Sequence, residues 1–328
     1  MELINILVTF QTSPVQKELI ESSLSKFGTI SYLSELGAGE ARSAAIGSAD
    51  VILAWNPPKE FSKDEYAMMQ NARFMQLLSA GADHIPFELL PKDLTVAGNV
   101  GAFAKPMAEH VMAMVLALAK NLRSGHEELA EGNFDQSRMS KSLDGAVCAI
   151  LGFGGIGKAT ARLMKAFGAK IYAINTSGKT DEKVDFIGTL NDLEFVLKNA
   201  DFIVISLPLS KATTGLIGAR ELGWMKPDAI LVNVARGDII DEGAFYTFLK
   251  DHPDFKAGLD AWWVEPFRYN KFEIHYPFFD LPNVLGSPHN SGMVPEALDN
   301  AVRDAVQNLT NFLAGGPVHG IMRPEDYV

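Results

Sequence analysis

The sequence predicts an α/β protein made of two doubly wound parallel-sheet domains. Short apolar runs alternate with helix-length segments along almost the whole chain, which is the pattern of βαβ units. The alternation restarts once, at a glycine-rich turn near the middle of the sequence. The chain has 328 residues, 47% of them hydrophobic, so each of two domains can bury its own core.

The first half of the chain alternates in this way from its beginning. The run INILVTF predicts a first strand, since it lacks the basic region and cleavage site of a leader. Ser13-Pro14 is a cap-plus-proline signal that opens a helix. ADVILAW, FMQLLSA and LTVAGN predict further strands of a parallel sheet. From about Pro106 to Arg123 we expect one long apolar helix, buried or at an interface.

The second half repeats the pattern without a flexible linker. Strands are predicted in GAVCAIL, KIYAINTS, ADFIVISLPL, AILVNVARG, KAGLDAWW and NVLGSPHN. Helices are predicted at about 191–199 and 242–250, and a final helix from about Pro295 to Leu313 precedes Gly315-Gly316.

Charge and cysteine content exclude several classes of protein. Lys and Arg total 29 against 40 Asp and Glu, a net charge of −11 with no basic run, so we expect neither a nucleic-acid nor a membrane partner. The longest apolar run, at 111–119, is too short to span a bilayer. Cys148 cannot form an internal disulfide and is expected to be buried and inert. The sequence predicts a cytoplasmic protein without a metal site.

The glycine-rich turn predicts a dinucleotide site. It matches G-x-G-x-x-G between a strand and a helix, where backbone N–H groups approach a pyrophosphate. The predicted contacts are Gly152, Gly154, Gly155, Ile156 and Gly157. Gly152 to Lys158 also fits the start of a nucleotide-triphosphate loop, but Ala159 stands where that motif needs a Mg²⁺-binding hydroxyl.

The end of the next predicted strand favours NADP over NAD. An NAD site has an Asp or Glu there to bind the ribose 2′-OH. This chain instead has Asn175, Thr176 and Ser177, followed by Lys179, which are groups able to bind a 2′-phosphate. A permissive site that accepts both cofactors is the alternative.

Three polar groups follow predicted strands and are candidates for chemistry: Arg236 in VARGD, Glu265 in WVEP and His289 in SPHNSG. Ligands bind at the carboxyl ends of strands in open α/β sheets. The arginine can hold a carboxylate, and the histidine, oriented by a carboxylate, can donate a proton to a developing alkoxide. The set suits reduction of a 2-keto acid. The other histidines, at 84, 110, 126, 252, 275 and 319, are expected to be structural or exposed.

These motifs resemble those of the D-isomer-specific 2-hydroxyacid dehydrogenase family. The resemblance covers nearly the whole chain through LLSAGADHI, the AEH helix start, GFGGIG, SLPLSKATTGLI, MKPDAILVNVARGDIIDE, GLDAWWVEP and SPHNSG. It implies that Arg236 anchors the substrate, Glu265 pairs with the catalytic histidine and His289 is the general acid/base. Ala80 and Gly81 would bind the substrate carboxylate through their amides. The implied cofactor contacts, besides the glycine turn, are Ser206, Leu207, Pro208, Val234, Ala235, Asp260, His289 and Gly292, with Asp260 holding the nicotinamide carboxamide.

The resemblance also implies the organisation and activity. A substrate domain would comprise residues 1–99 and 290–328, a dinucleotide-binding domain residues 100–289, and the active site the cleft between these Rossmann-like or flavodoxin-like domains. The expected activity is NAD(P)H-dependent reduction of a small 2-keto acid, such as glyoxylate, hydroxypyruvate or pyruvate, to its D-2-hydroxy acid by a homodimer. A formate dehydrogenase of the same family and a cofactor-sensing corepressor on the same fold are the alternatives.

The chain departs from the family pattern at several positions. Gly155 stands where an arginine is frequent in the glycine turn. Lys105 could reach an acidic substrate, although a solvated helix-start lysine is favoured. Trp262-Trp263 could wall the substrate pocket, although packing in the core is favoured.

Overall fold

The computed structural model of the protein describes residues 3–327. The chain folds as two compact units. One is formed by the chain up to Ala102 together with the chain from Val294 onward, and the other by Phe103–Met293. The strands are β1 (Ile4–Val8), β2 (Gly28–Tyr32), β3 (Val51–Ala54), β4 (Phe74–Leu77), β5 (Thr95–Ala97), β6 (Val147–Leu151), β7 (Lys170–Ile174), β8 (Phe186–Gly188), β9 (Phe202–Ile205), β10 (Ile230–Asn233), β11 (Lys256–Leu259) and β12 (Val284–Gly286).

Helices connect these strands. They are α1 (Pro14–Leu24), α2 (Glu40–Ser48), α3 (Pro57–Glu60), α4 (Ala104–Ala119), α5 (Leu122–Ala130), α6 (Gly155–Ala166), α7 (Leu193–Asn199), α8 (Ala219–Leu222), α9 (Glu242–Asp251), α10 (Pro266–Tyr269) and α11 (Ala297–Leu313). Short 3₁₀ helices lie at Leu33–Glu35, Lys63–Met68, Phe87–Leu89, Leu190–Asp192, Gly237–Ile239, Phe278–Asp280 and Pro324–Asp326.

Each unit is built on a parallel sheet. Within residues 3–327, the first unit has a five-stranded sheet in the order β2-β1-β3-β4-β5, and the second has a seven-stranded sheet in the order β12-β11-β10-β9-β6-β7-β8. All pairings are parallel, with Ala54 opposite Leu77 in the first sheet and Asn233 opposite Leu259 in the second. The predicted pair of doubly wound α/β units is therefore confirmed.

Apolar side chains cover both faces of each sheet, because every strand alternates its side chains between the two faces. Along β6, Ala149 and Leu151 join one core of the second unit, whereas Cys148 and Ile150 join the core on the opposite face. The expected burial of Cys148 is confirmed. Burial in apolar surroundings raises the pKa of its thiol, so the thiolate form is disfavoured.

The local signals at the first helix are confirmed. Ser13 accepts a hydrogen bond from the backbone N–H of Gln16, and the Gln16 side chain accepts one from the N–H of Ser13. This capping box satisfies two N–H groups that the helix itself cannot, and Pro14 occupies the first turn.

The prediction of one helix from about Pro106 to Arg123 is wrong. Helix α4 ends at Ala119, and α5 begins at Leu122 after Asn121, whose φ of 54° is left-handed. Asparagine tolerates this conformation, and Lys256 Nζ stabilises the break by donating to Leu118 O at 3.0 Å and to Asn121 Oδ1. No helix within residues 3–327 combines the length and apolar character required to cross a bilayer.

Candidate active site

The second sheet brings the three predicted polar groups to one edge. Arg236 follows β10, Glu265 follows β11 and His289 follows β12. These strands are neighbours in the order β12-β11-β10 and run parallel, so their carboxyl ends lie side by side. The spatial order of the strands thus brings together three residues that are spread over a stretch of more than fifty positions in the sequence.

Glu265 and His289 form a short hydrogen-bonded pair. Glu265 Oε2 lies 2.6 Å from His289 Nδ1, and the other carboxylate oxygen accepts from the backbone N–H of Trp262 at 2.6 Å. An ionised carboxylate can only accept, so we assign the proton of this bond to Nδ1. The glutamate side chain is 12% exposed and the histidine 30%, which leaves Nε2 as the nitrogen available to a reacting group.

His289 has strained backbone geometry. Its φ of 50° is left-handed, a conformation that a residue other than glycine adopts only where its surroundings hold it. Directly after it, the N–H groups of Asn290 and Ser291 each donate to the Asp260 carboxylate at 3.1 Å. The loop is therefore fixed through its backbone as well as through the Glu265 contact.

Arg236 is presented by a turn that a buried asparagine organises. Asn233, fully buried at the end of β10, accepts from the N–H of Ala235 at 3.0 Å and donates to the carbonyl oxygen of Arg236 at 2.9 Å. Arg236 Nη1 donates to Ala235 O at 2.8 Å. Asn233 was not predicted as a site residue, although a polar residue at the end of an apolar strand indicates a special role. The predicted cofactor contacts Val234 and Ala235 lie buried in this turn.

Asp260 is fully buried at the end of β11. Its carboxylate accepts from Ser287 Oγ at 2.5 Å and from the two loop amides described above. Burial pushes its pKa upward, but the hydrogen bonds that the carboxylate accepts from Ser287 and Ser291, together with the nearby His289 and His110 rings when they are protonated, outweigh this, so the pKa lies below its ordinary value. A carboxylate offers about four acceptor positions. Three of them accept the hydrogen bonds from Ser287 Oγ and from the N–H groups of Asn290 and Ser291.

Ser291 is a second site residue that was not predicted from the sequence. Its side-chain hydroxyl is buried and finds no hydrogen-bond partner among residues 3–327. Buried hydroxyls are normally paired, so this group indicates a position that the adjacent Asp260 carboxylate or a polar ligand group would complete. The signal was its place in SPHNSG, next to the predicted Gly292.

The glycine turn forms an open cradle, and its predicted strand–turn–helix context is confirmed by β6 and α6. Gly152 has a φ of 97°, and a Cβ on it would lie 2.6 Å from the Leu207 nitrogen, while Ser206 Oγ donates to Gly152 O at 2.7 Å. A Cβ on Gly157 would lie 2.1 Å from Gly152 O, whereas a Cβ on Gly154 would meet open space. The turn is therefore held against the predicted Ser206–Pro208 loop.

The first turn of α6 fits an anion. Gly154 caps the helix without a side-chain hydrogen bond, so the N–H groups of Gly155, Ile156 and Gly157 have no capping side chain. Backbone N–H groups and the positive end of a helix dipole favour a pyrophosphate. Together with the orphaned Ser291 hydroxyl, this geometry fits a nicotinamide dinucleotide.

The turn after β7 contains one residue that holds the turn together and three that are exposed to solvent. Asn175 is committed to the turn itself, since its Oδ1 accepts from the N–H groups of Ser177 and Gly178 and its Nδ2 donates to Lys179 O. Thr176, Ser177 and Lys179 are exposed. Lys158, expected to be a solvated helix residue, lies 2.5 Å from Asp181 in a surface ion pair.

The two tryptophans after Asp260 are core residues, as favoured from the sequence. Trp262 Nε1 donates to Ser287 O at 2.8 Å, and Trp263 Nε1 donates to Ile240 O at 2.7 Å. Both are largely buried, and the Trp263 ring stacks on the Phe278 ring with 5.2 Å between the ring centroids. Their indole N–H groups thus stabilise the loops at Ser287 and Ile240.

In the first unit, Ala80 and Gly81 follow β4 at the carboxyl edge of its sheet. Ser79 Oγ donates to Gly81 O at 3.0 Å and shapes the turn. Among the described residues, no protein acceptor takes a hydrogen bond from the N–H of Ala80 or Gly81. The turn thus has two backbone donors, the groups that its predicted role requires.

Comparison with known proteins shows the family. Residues 112–291 match the sequence model of the D-isomer specific 2-hydroxyacid dehydrogenase NAD-binding domain. A glyoxylate reductase of Thermococcus litoralis is 31% identical over 265 residues, 77% of this chain and 78% of that protein. A hydroxypyruvate reductase of Thermotoga maritima is 30% identical over 283 residues, 85% of this chain and 86% of that protein.

Solved structures agree with these sequence matches. A candidate formate dehydrogenase from Pyrobaculum aerophilum is 30% identical with a TM-score of 0.83, over all of both chains. A 2-hydroxyacid dehydrogenase family protein from Aeromonas salmonicida is 27% identical with a TM-score of 0.79, over 98% of this chain and 99% of that chain. The chain therefore belongs to the D-isomer specific 2-hydroxyacid dehydrogenase family, and it is an NAD(P)-dependent oxidoreductase.

Proposed function

We propose that the protein reduces a small 2-keto acid to the D-2-hydroxy acid with NADPH, the substrates being of the glyoxylate, hydroxypyruvate and pyruvate type. The observation that carries this proposal is the 2.6 Å contact between Glu265 and His289 at the strand edge that also presents Arg236. The relatives named glyoxylate reductase and hydroxypyruvate reductase support the substrate class.

His289 is the proposed acid. Its Nδ1–H is held by Glu265, so an imidazolium can release the Nε2 proton to the carbonyl oxygen of the substrate while the ring keeps its orientation. Glu265, which also accepts from the Trp262 N–H, balances the positive charge of the ring before transfer. A nicotinamide bound here would supply the hydride for the carbonyl carbon.

Arg236 is the proposed anchor of the substrate carboxylate. A guanidinium remains charged at all relevant pH values and can bind a carboxylate through two parallel hydrogen bonds. The Ala80 and Gly81 amides are proposed as further donors to that carboxylate. On this basis the second unit is assigned the dinucleotide and the first unit a substrate role.

The dinucleotide would be held by the glycine turn, the first turn of α6 and Ser291. We infer a preference for NADPH because the exposed Thr176, Ser177 and Lys179 offer two hydroxyls and a cation after β7. No carboxylate lies within residues 175–179 to repel a 2′-phosphate.

We further infer that the enzyme acts in the cytoplasm as a homodimer. The apolar sequence of α4 made it a possible dimer interface. In the structure, however, α4 packs Val111, Val115 and much of its apolar surface into the core of its own unit. The segment after it has exposed apolar side chains, which favour association. They are Leu122, Leu129, Phe134 and Met139.

A spectrophotometric panel tests the proposed activity. Glyoxylate, hydroxypyruvate, pyruvate and a longer 2-keto acid are each assayed with NADPH and NADH, and formate is assayed with both oxidised cofactors. We expect reduction of at least one short 2-keto acid, with a higher kcat/KM for NADPH than for NADH. Oxidation of formate to CO₂ without reduction of any 2-keto acid would overturn the proposal and favour the formate dehydrogenase alternative.

A further inference from the structure

Three side chains from separate elements form a continuous chain of hydrogen bonds next to the His289 loop. His110, on α4, places Nε2 3.0 Å from Ser287 Oγ, just after β12. Ser287 Oγ lies 2.5 Å from Asp260 Oδ1, just after β11. His110 is 25% exposed and Asp260 fully buried. A helix is thereby connected to the two strand ends that carry the site.

The available protons fix which group donates in each of these hydrogen bonds. The Asp260 carboxylate is ionised, and it accepts only. The single hydroxyl proton of Ser287 is therefore donated to Asp260, and the Ser287 oxygen is left as an acceptor for His110. His110 must carry a proton on Nε2, whether its ring is neutral or charged. Each partner thus fixes the orientation of the next.

The far end of the chain acts on the loop backbone. Through Asp260 the chain reaches the N–H groups of Asn290 and Ser291, the two residues that follow His289. Because the backbone of His289 is in the left-handed region, it needs such external constraints to stay there. Loosening Asp260 would release the backbone on one side of His289 and leave Glu265 as its remaining described polar contact.

We propose that His110 is a positioning residue for the reaction. It orients the Ser287 hydroxyl, which orients the Asp260 carboxylate, and Asp260 in turn holds the His289 loop. The proposal rests on the proposed function of His289. His110 is assigned no contact with substrate or cofactor, and it acts through the three hydrogen-bonded steps described above. The sequence alone placed it among the structural or exposed histidines, because its partners become neighbours only in the folded sheet.

Steady-state kinetics of matched variants test the proposal. For His110→Leu and Ser287→Ala we expect kcat to fall roughly 10–100-fold, because a displacement of His289 by about 1 Å has an effect of this size. KM values should stay within about threefold of wild type. Gln can place an amide N–H near the position of Nε2, so His110→Gln should keep kcat within about threefold. The double variant should be no slower than Ser287→Ala alone, since both changes interrupt one chain.

His252→Leu is the matched control, because His252 is a half-buried histidine of the same unit that bonds Phe248 O at 2.9 Å outside this chain. It should leave kcat unchanged. Equal losses in His110→Leu and His252→Leu, failure of His110→Gln to restore kcat, or multiplicative losses in the double variant would each overturn the proposal.

Hydrogen exchange separates this inference from the proposed function. In His110→Leu and Ser287→Ala, the amides of Asn290 and Ser291 should exchange at least tenfold faster than in wild type, while those of β6 stay unchanged. Unchanged exchange at both amides would refute the positioning role even in an active enzyme. If the wild-type protein reduced no 2-keto acid, the proposed function would fail, but faster exchange would still support the structural link.

Discussion

Gly237 is the point where the Arg236 turn meets the strand end that leads to Glu265. A Cβ added there would lie 2.4 Å from the Trp262 carbonyl carbon and 2.5 Å from the Trp263 nitrogen. Both are backbone atoms, so a side-chain rotation cannot relieve the contact. An ordinary contact needs about 1 Å more, and the two segments must separate by that amount in Gly237→Ala.

This separation predicts both a stability loss and an activity loss. Overpacking of this kind costs about 1–3 kcal/mol, which lowers Tm by roughly 2–12 °C for a unit of this size. The same displacement moves Arg236 relative to Glu265, and a shift of about 1 Å at a reacting group can cost roughly 100-fold in rate. We expect kcat/KM for the keto acid to fall by about 10–100-fold.

Thermal unfolding and steady-state kinetics of the purified variant are the assay. Gly125→Ala is the control, because a Cβ on Gly125, inside α5, would meet nothing within 4 Å. That variant should be unchanged in kcat and more stable by about 0.5–1 kcal/mol. A Gly237→Ala protein with the Tm and kcat/KM of wild type would refute the close-approach argument.

Three further predictions concern other parts of the molecule. His275 Nδ1 donates a hydrogen bond of 2.7 Å to Glu242 Oε2, which raises the pKa of His275 above 6.5. NMR titration should show the raised pKa, and Glu242→Gln should lower it. The stability that this pair provides is complete below pH 6.5 and is lost as the pH rises through the raised pKa. Leu129→Glu should shift the light-scattering mass from dimer towards monomer; a wild-type monomer would contradict the dimer proposal. Lys179→Ala should raise KM for NADPH about tenfold and leave KM for NADH unchanged, whereas Lys170→Ala, at the opposite end of β7, should change neither.

The fold was largely predictable because its central strands are continuous apolar runs. The edge strands β2 and β8 were missed, because their sequences GTISY and FIG are short, contain glycine and keep partly exposed residues instead of forming an apolar run. The end of α4 was also missed, because it depends on Lys256, which lies more than 130 residues away in sequence. A local sequence pattern cannot predict contacts between residues so far apart in the chain.

The residues of the candidate site that belong to sequence motifs were predictable. Arg236, Glu265 and His289 stand in recognisable sequence contexts, and their strand ends are neighbours in the sheet. Asn233, Ser291 and His110 were not predicted as site residues, because their importance comes from burial and from partners brought near by tertiary structure. Sequence spacing alone contains neither piece of information.

The role of His289 is the central claim, and single-turnover reduction by His289→Gln tests it most directly. The amide keeps the size of the ring but cannot deliver a proton as an imidazolium does, so the rate should fall by about 100–10,000-fold. NADPH binding, followed by fluorescence, should stay within about threefold of wild type, since the glycine turn and α6 are untouched. A His289→Gln protein that reduces the keto acid at a near wild-type rate would contradict the account.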